Sequence, residues 1–349
     1  MKDKVTIVVP TYNRHHHLER IIPFLLDFNM PVLVVDSTAT PHAPTASNPD
    51  VEYLHMPGVG FQQKLKQAIS NNVRTPYMLM NADDIYPLKS SLSLSLQFLE
   101  ENPDYSSVQG SIIYETNGNL DLYKPESSLH QVDAECPGTR MLQHMVYYHP
   151  VFYSLQKTDA WKTVFRYYPD EVVNYNMMEI HMVLMMLAHG KAAKMRYLHH
   201  ITSIIPCAEK RSLKTHGNSH DVIHNARYYE ELTLVKEAVR EYLVHEKGMP
   251  EVLAKRHVDN AVSLWLVNAL PKKTYYWLND RPPKTLSDRI RNEWDSLMGK
   301  TVQKKQKVKR KEKKDFNLRF AIDELAAESG PEGCRELDEI VAILTQGQQ

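Results

Sequence analysis

The sequence predicts an α/β fold: a mainly parallel, doubly wound sheet flanked by helices, followed by a C-terminal α-helical region. Three observations carry this. Over the first ninety residues, short β-branched runs alternate with segments whose apolar residues recur at helical spacing. The strand runs are apolar throughout, as in strands covered on both faces. From about His216 onward only helical periodicity remains, with Leu232, Val235, Val239 and Leu243 on one face.

Each element follows from its residues. Val5 to Pro10 is a β-branched strand stopped by proline, and Thr11-Tyr12-Asn13-Arg14 is the loop after it. A helix runs from about His15 to Phe28, with Leu18, Ile21, Ile22, Leu25 and Leu26 at helical spacing. Pro31 to Asp36 is a second buried strand, ending in an acid, and the Ser/Thr/Pro/Ala-rich segment Ser37 to Asp50 is a loop. Val51 to Met56 is a strand. Pro57-Gly58-Val59-Gly60 then turns into a helix from Phe61 to Asn72. Tyr77 to Met80 is an apolar strand that stops at Asn81-Ala82-Asp83-Asp84. A helix over about Leu88 to Glu101 and a strand over Ser106 to Thr116 follow. The polar stretch Asn117 to Glu135 reads as a mobile loop, and Lys191 to Ile205 as a strand pair or one long strand. Later helices are expected over Tyr228 to His245, Val252 to Leu270, Leu286 to Met298, Phe320 to Ala327 and Cys334 to Leu344.

Composition narrows the function classes. The chain has 349 residues, enough for an enzymatic core with an accessory region. Lys+Arg and Asp+Glu balance at 42 each, so overall charge points to no polyanionic partner. Cys136, Cys207 and Cys334 are far apart and odd in number, which argues against a disulfide framework or zinc ribbon and fits a reducing compartment. The amino terminus leads directly into a strand, with no signal peptide legible, and the apolar run Met182 to Ala188 is too short to span a bilayer. A cytoplasmic protein without a transmembrane segment is expected.

The loops after Pro10, Asp36 and Met80 should share one rim at the carboxyl ends of the strands, where open α/β sheets bind ligands. Adjacent carboxylates there repel one another, so Asp83 and Asp84 suggest a bound cation. With oxygen ligands on a half-open rim, that cation would be Mg²⁺ or Mn²⁺ shared with substrate phosphates. Either acid could instead cap the helix that follows. Asp36 is a rim acid or a loop cap, and Lys64 a rim cation or part of a solvated helix face shared with Lys66. The run His15-His16-His17 points in different directions on a helix and reads as its solvated start.

Val-Val-Pro-Thr-Tyr-Asn-Arg, Val-Val-Asp-Ser, a Gly-containing turn into a Lys-bearing helix, and Thr-Pro-Tyr-Met-Leu-Met-Asn-Ala-Asp-Asp occur here in that order and at family spacing. Together they resemble the family 2 glycosyltransferases of the GT-A fold, over roughly residues 4 to 205. The resemblance implies a nucleoside-diphosphate sugar donor, UDP favoured. Pro10, Thr11 and Tyr12 would line the nucleoside, with Arg14 near it and Asp36 on the base, and Lys64 or Lys66 would be the basic position. Asn81-Ala82-Asp83 stands where the family has Asp-x-Asp. Asp83 matches the direct metal ligand, with Asp84 as a further ligand and His199 as an alternative. Asn81 departs from the pattern and brings no charge.

A second stretch, Tyr175 to His181, places a lone acid at the entry of an apolar helix, where it must cap, pair or act. The resemblance assigns Glu179 as the general base that takes the acceptor hydroxyl's proton; His181 is the fallback, and inversion is expected because one base suffices and no second nucleophile is apparent. A second acid that often follows in the family is Ile180 here. Tyr147, Tyr148 and Trp161 are either aromatic surface for a sugar ring or interior packing.

The expected organisation is a GT-A catalytic domain over 1–215, a helical accessory region over 216–299, a basic linker or helix over 300–314, and C-terminal helices over 315–349. The 300–314 block holds nine Lys/Arg and one Glu, with no aromatic residue. It is a solvated segment, or it meets an anionic surface or nucleic acid. The acceptor is expected to be a glycan or similar hydroxyl. Two alternatives are transfer onto modified DNA and a non-catalytic sugar-nucleotide or glycan binder on the same scaffold.

Overall fold

The computed structural model describes residues 1–116, 119–123, 131–146, 148–149, 151–203, 225–278 (backbone only for 268–278) and 321–346. The basic run 300–314, the helix expected near 286–298, Tyr147 and Pro150 lie outside the described residues.

Residues sort into two cores by the two-residue period of the strands. In β1 (Val5–Thr11), Ile7 and Val9 face one side with α1 (His15–Leu26), while Val8 faces the other with α3 (Phe61–Asn72). The same alternation splits Val34 from Leu33 and Val35 in β2 (Val32–Asp36), and Leu79 from Met78 and Met80 in β4 (Tyr77–Met80). A strand with both faces buried cannot afford polar positions, which is why these segments are continuous apolar runs.

The parallel half of the sheet runs β3 (Val51–His55), β2, β1, β4. The chain therefore winds outward from β1 to β3 and then returns to the other side of β1. That reversal opens a crevice at the carboxyl ends of β1, β2 and β4. The sheet continues antiparallel through β8 (Leu155–Lys157) on β4, then β6 (Tyr105–Thr116), β9 (Lys191–Ser203) and β5 (Ile85–Pro87), with β9 parallel to β6.

Two departures from the sequence reading stand out. Part of the stretch expected as a mobile loop is β7 (Asn119–Leu122), antiparallel to β6 with Thr116 opposite Asn119. Its exposed Asn119 and Asp121 alternate with half-buried Leu120 and Leu122, a strand period hidden in a polar composition. The loop after Asp36 contains a short helix, α2 (Ala43–Ala46). Lys191–Ser203 is one long strand.

Helix α4 (Lys89–Glu101) lies over β6, and α5 (Pro137–Val146) and α6 (Thr158–Arg166) flank α7 (Tyr175–His189). Helix α7 is buried nearly all round from Met177 to Ala188, which its apolar sequence requires. Helix α8 (Ala226–His245) packs on α7, and α9 (Glu251–Leu278) packs on α5 and α8, placing Val235, Val239, Leu243, Val258 and Trp265 in the same core. The last helix, α10 (Gly330–Gln346), joins the opposite core through Leu337, Ile340 and Leu344. It also caps α4 from a distance of 246 residues: the Glu336 carboxylate accepts from the Ser90 backbone N–H and, at 2.7 Å, from the Ser90 hydroxyl. Among the described residues, no helix is long and apolar enough to cross a membrane.

Candidate functional site

At the tip of β1 the chain turns through Asn13, whose φ of 55° is in the left-handed region that Asn tolerates, and whose N–H donates to Thr38 Oγ1 at 2.8 Å. This turn aims Arg14 back over the sheet. The Tyr77–Met80 strand stops level with Val8, and Asn81 N–H bonds the Val8 carbonyl. The next two residues then reach the level of Thr11.

The acid pair meets the β1 tip here. Asp83, 2% exposed, accepts from Thr11 Oγ1 at 2.8 Å on one oxygen and pairs with Arg14 at 2.7 Å on the other. Arg14 spans to Asp84 at 2.9 Å. Burial pushes the Asp83 carboxyl up to about 6; Arg14 pulls it down, and Asp84 adds to the rise.

Asp36 sits beside Thr11 in register and is fully buried. It accepts from Thr38 N–H at 2.8 Å, Tyr53 OH at 2.5 Å and His15 Nε2 at 2.7 Å. Burial raises its pKa, but these donors outweigh burial and hold it below the ordinary carboxylate value. Lys64 and Lys66 part ways. Lys66 pairs with Asp170 at the surface, whereas Lys64, 1% exposed, donates to the Thr11 carbonyl at 2.6 Å and to Ser37 Oγ at 3.0 Å. Lys64 thus ties the loops after β1 and β2 together. Burial lowers its pKa to about 8, with Asp36 and Asp83 pulling it back up.

Pro10 is buried within β1, Tyr12 stands 55% exposed above the crevice, and Ala82 is half-buried in the turn. Asn81 is fully buried, and its amide donates to the Ala82 and Ile85 carbonyls at 2.8 and 3.0 Å. A carboxylate could make neither bond, so the departure from an acid at this position has a local cause. Asn81→Asp is expected to destabilise the fold by about 2 kcal/mol or more, by facing a buried charge with two carbonyls. Urea unfolding checks this; an unchanged midpoint would mean that the amide does not hold the turn.

Helix α7 supplies Glu179. Asn174 caps it by accepting from Asn176 N–H and Met177 N–H, and the Glu231 carboxylate holds the preceding N–H groups. Glu179, half-buried one turn in, accepts from the Tyr148 hydroxyl. Tyr114, Tyr153 and Tyr175 have raised pKa values, first from burial and then from Glu179 and Asp84 together. One set of tyrosines therefore lies within electrostatic reach of both Glu179 and Asp84. Ser203 N–H donates to the Asp84 carbonyl and ties the end of β9 to the acid pair.

Three side chains turn out to be interior. His181 points away from Glu179, donating from Nε2 to the Tyr167 carbonyl at 3.2 Å, and burial lowers its pKa to about 3. His199 donates from Nε2 to the Tyr153 carbonyl at 2.9 Å, and burial lowers it to about 4. Trp161 is fully buried against Phe152 and Phe165, so it is core and not a sugar platform. Sequence reasoning missed His15, which it treated as solvated; its bond to Asp36 depends on a contact 21 residues away. A surface cleft bordered by Thr75, Tyr77, Lys157 and Lys162 lies at the other end of the strands and takes no part.

The acid pair suits a divalent cation. Mg²⁺ or Mn²⁺ needs only one or two protein carboxylates when phosphate oxygens and water complete its shell. Among the described residues no group of three or more His, Cys, Asp or Glu could hold a metal alone, so such an ion would depend on the donor. Arg14 now spans both carboxylates and would have to yield.

Comparison with known proteins agrees with this fold. The Glycosyl transferase family 2 model matches residues 6–169. Among solved structures, a crystal structure of S. aureus TarS 1–349 is similar, with 12% identity, 99% of this chain and 91% of that chain covered, and a TM-score of 0.50. A longer S. aureus TarS structure aligns at 13% identity over 69% of this chain and 44% of that chain, with a TM-score of 0.41. No curated protein matches the sequence. At 12% identity the TarS likeness speaks for the fold alone, and it extends past the residues that the family model covers. Residues 6–169 are a family 2 glycosyltransferase domain on a GT-A fold, and the chain is a glycosyltransferase.

Proposed function

We propose that the chain moves a sugar from a nucleoside diphosphate, UDP favoured, to the hydroxyl of a glycan or similar acceptor, with inversion. What supports this reading is that two sets of groups lie within reach of the same tyrosines. Thr11, Arg14, Asp36 and the acid pair gather on the strand tips, and Glu179 stands among tyrosines.

In this reading Tyr12, Pro10 and Thr11 receive the nucleoside and Asp36 its base, while Lys64 keeps the two loops in place. Asp83 and Asp84 would hold Mn²⁺ or Mg²⁺. Such an ion, when bound, neutralises charge on the leaving diphosphate. Glu179 takes the proton of the acceptor hydroxyl as that oxygen attacks the anomeric carbon from the face opposite the diphosphate. A single displacement of this kind inverts the centre. The tyrosines keep water from the cleft and give the sugars aromatic faces. The catalytic unit is assigned to 1–215, with helices beyond it bracing α7 and α4, and the enzyme to the cytoplasm.

A thermal-shift screen of nucleoside diphosphates with and without Mn²⁺ tests the donor assignment. UDP with Mn²⁺ is expected to raise the unfolding midpoint most, because a ligand that binds only the folded state stabilises it. Equal shifts for all bases, or none with Mn²⁺, would reject it.

A further inference from the structure

We propose that Tyr148 is a positioning residue for the general base, its hydroxyl holding Glu179 Oε1 so that the carboxylate keeps one orientation toward the cleft. The proposal rests on Glu179 being the base, and it adds a residue from a different part of the chain, 31 positions away, to that site.

A ring contact holds Tyr148 independently of Glu179. Its ring meets the His144 ring edge-on, with centroids 5.7 Å apart. His144 Nε2 in turn donates to the His149 carbonyl at 3.0 Å, so the end of α5 and the segment beyond it form one braced unit. His144 is fully buried. Tyr148 therefore presents its hydroxyl from a rigid support, as a group that orients another must.

The direction of the bond follows from charge. Burial first, and then the adjacent Glu179, push the Tyr148 phenol well above its ordinary value, so it stays protonated and donates. The groups within electrostatic reach of Glu179 include Tyr148 after α5, Tyr175 on α7, Tyr114 on β6 and Tyr153 before β8, and Asp84 acts on the last three of these tyrosines as well. A hydrogen bond donated to an ionised carboxylate favours the form that accepts a proton. The same bond removes rotamer freedom from a side chain that would otherwise have to be ordered during the reaction.

The test needs no substrate. Full-length protein carrying ¹³Cδ-labelled glutamate is titrated by NMR, and Glu179→Gln identifies the Glu179 resonance. Tyr148→Phe is expected to raise the Glu179 titration midpoint by about one pH unit, the size carried by a hydrogen bond to a charged group. If Tyr148→Phe fails to fold, 3-fluorotyrosine at position 148 replaces it. That side chain keeps the shape and is a stronger donor, so the midpoint is expected to fall. A midpoint that stays put or moves the other way in either protein overturns the proposal. Glu179→Gln with full transfer activity would instead reject Glu179 as the base, a separate outcome that leaves the titration result readable.

Discussion

Glu179→Gln is expected to slow sugar transfer by about 10²- to 10⁴-fold, the range that a positioned general base supplies. Glutamine keeps the volume and can still accept from the Tyr148 hydroxyl, so α7 and its Asn174 cap should be undisturbed. Donor binding depends on the strand tips and is expected to stay within about twofold because the mutation removes only a proton acceptor. Steady-state transfer measured beside calorimetric binding of UDP with Mn²⁺ separates the two effects. A variant with wild-type turnover would take Glu179 out of the mechanism. One that lost binding and turnover together would place its role in assembling the site.

Asp83→Asn should act at the strand tips, lowering donor binding as well as turnover. The amide keeps the size and can still meet Thr11, but it loses the charge that pairs with Arg14 and that a cation requires. Loss of several kcal/mol of charge stabilisation at the leaving diphosphate corresponds to about 10²- to 10³-fold in turnover. Mn²⁺-dependent donor binding is expected to disappear as well. Wild-type protein carries the same dependence in its pH response. The Asp83 carboxyl is held up to about 6 by burial, so cation-dependent donor binding should weaken as pH falls through that value. Its effect on stability has the other sign. Between about 6 and the ordinary carboxylate value, the folded protein holds a proton that the unfolded chain releases, so this group stabilises the fold as pH falls. A donor affinity that followed stability across this range would contradict the assignment.

Much of the fold was open to inspection in the sequence. Phe61–Asn72 and Tyr77–Met80 form where their periods place them, because amphipathic spacing and a closed apolar run are local properties. The three-residue strands β5 and β8 could not be found that way. They exist because β9 and β4 supply partners, and no local pattern distinguishes three residues. Helix α5, Pro137–Val146, is absent from the sequence reading; it buries Arg140 and His144, polar residues that mark no apolar face. Arg140 instead spends its guanidinium on the carbonyls of Ala134, Glu135 and Leu187.

The site divides along the same line. Residues on strand tips, such as Thr11, Asp36 and Asp83, converge because parallel strands must end on a common rim. Contacts between distant segments were not legible. Arg14 lies 70 residues from Asp84, and the Tyr148 bond to Glu179 joins a segment after α5 to α7. The choice between Lys64 and Lys66 also needed the fold, because helix phase alone leaves both near the rim while only Lys64 is turned inward.

A crystal structure with UDP and Mn²⁺ tests the whole arrangement most directly. The anomalous signal of the metal is expected against the Asp83 and Asp84 carboxylates, with the uracil beside Asp36 and Arg14 moved off the acid pair. Nucleotide bound away from these strand tips, or Arg14 still spanning both acids with the diphosphate in place, would contradict it.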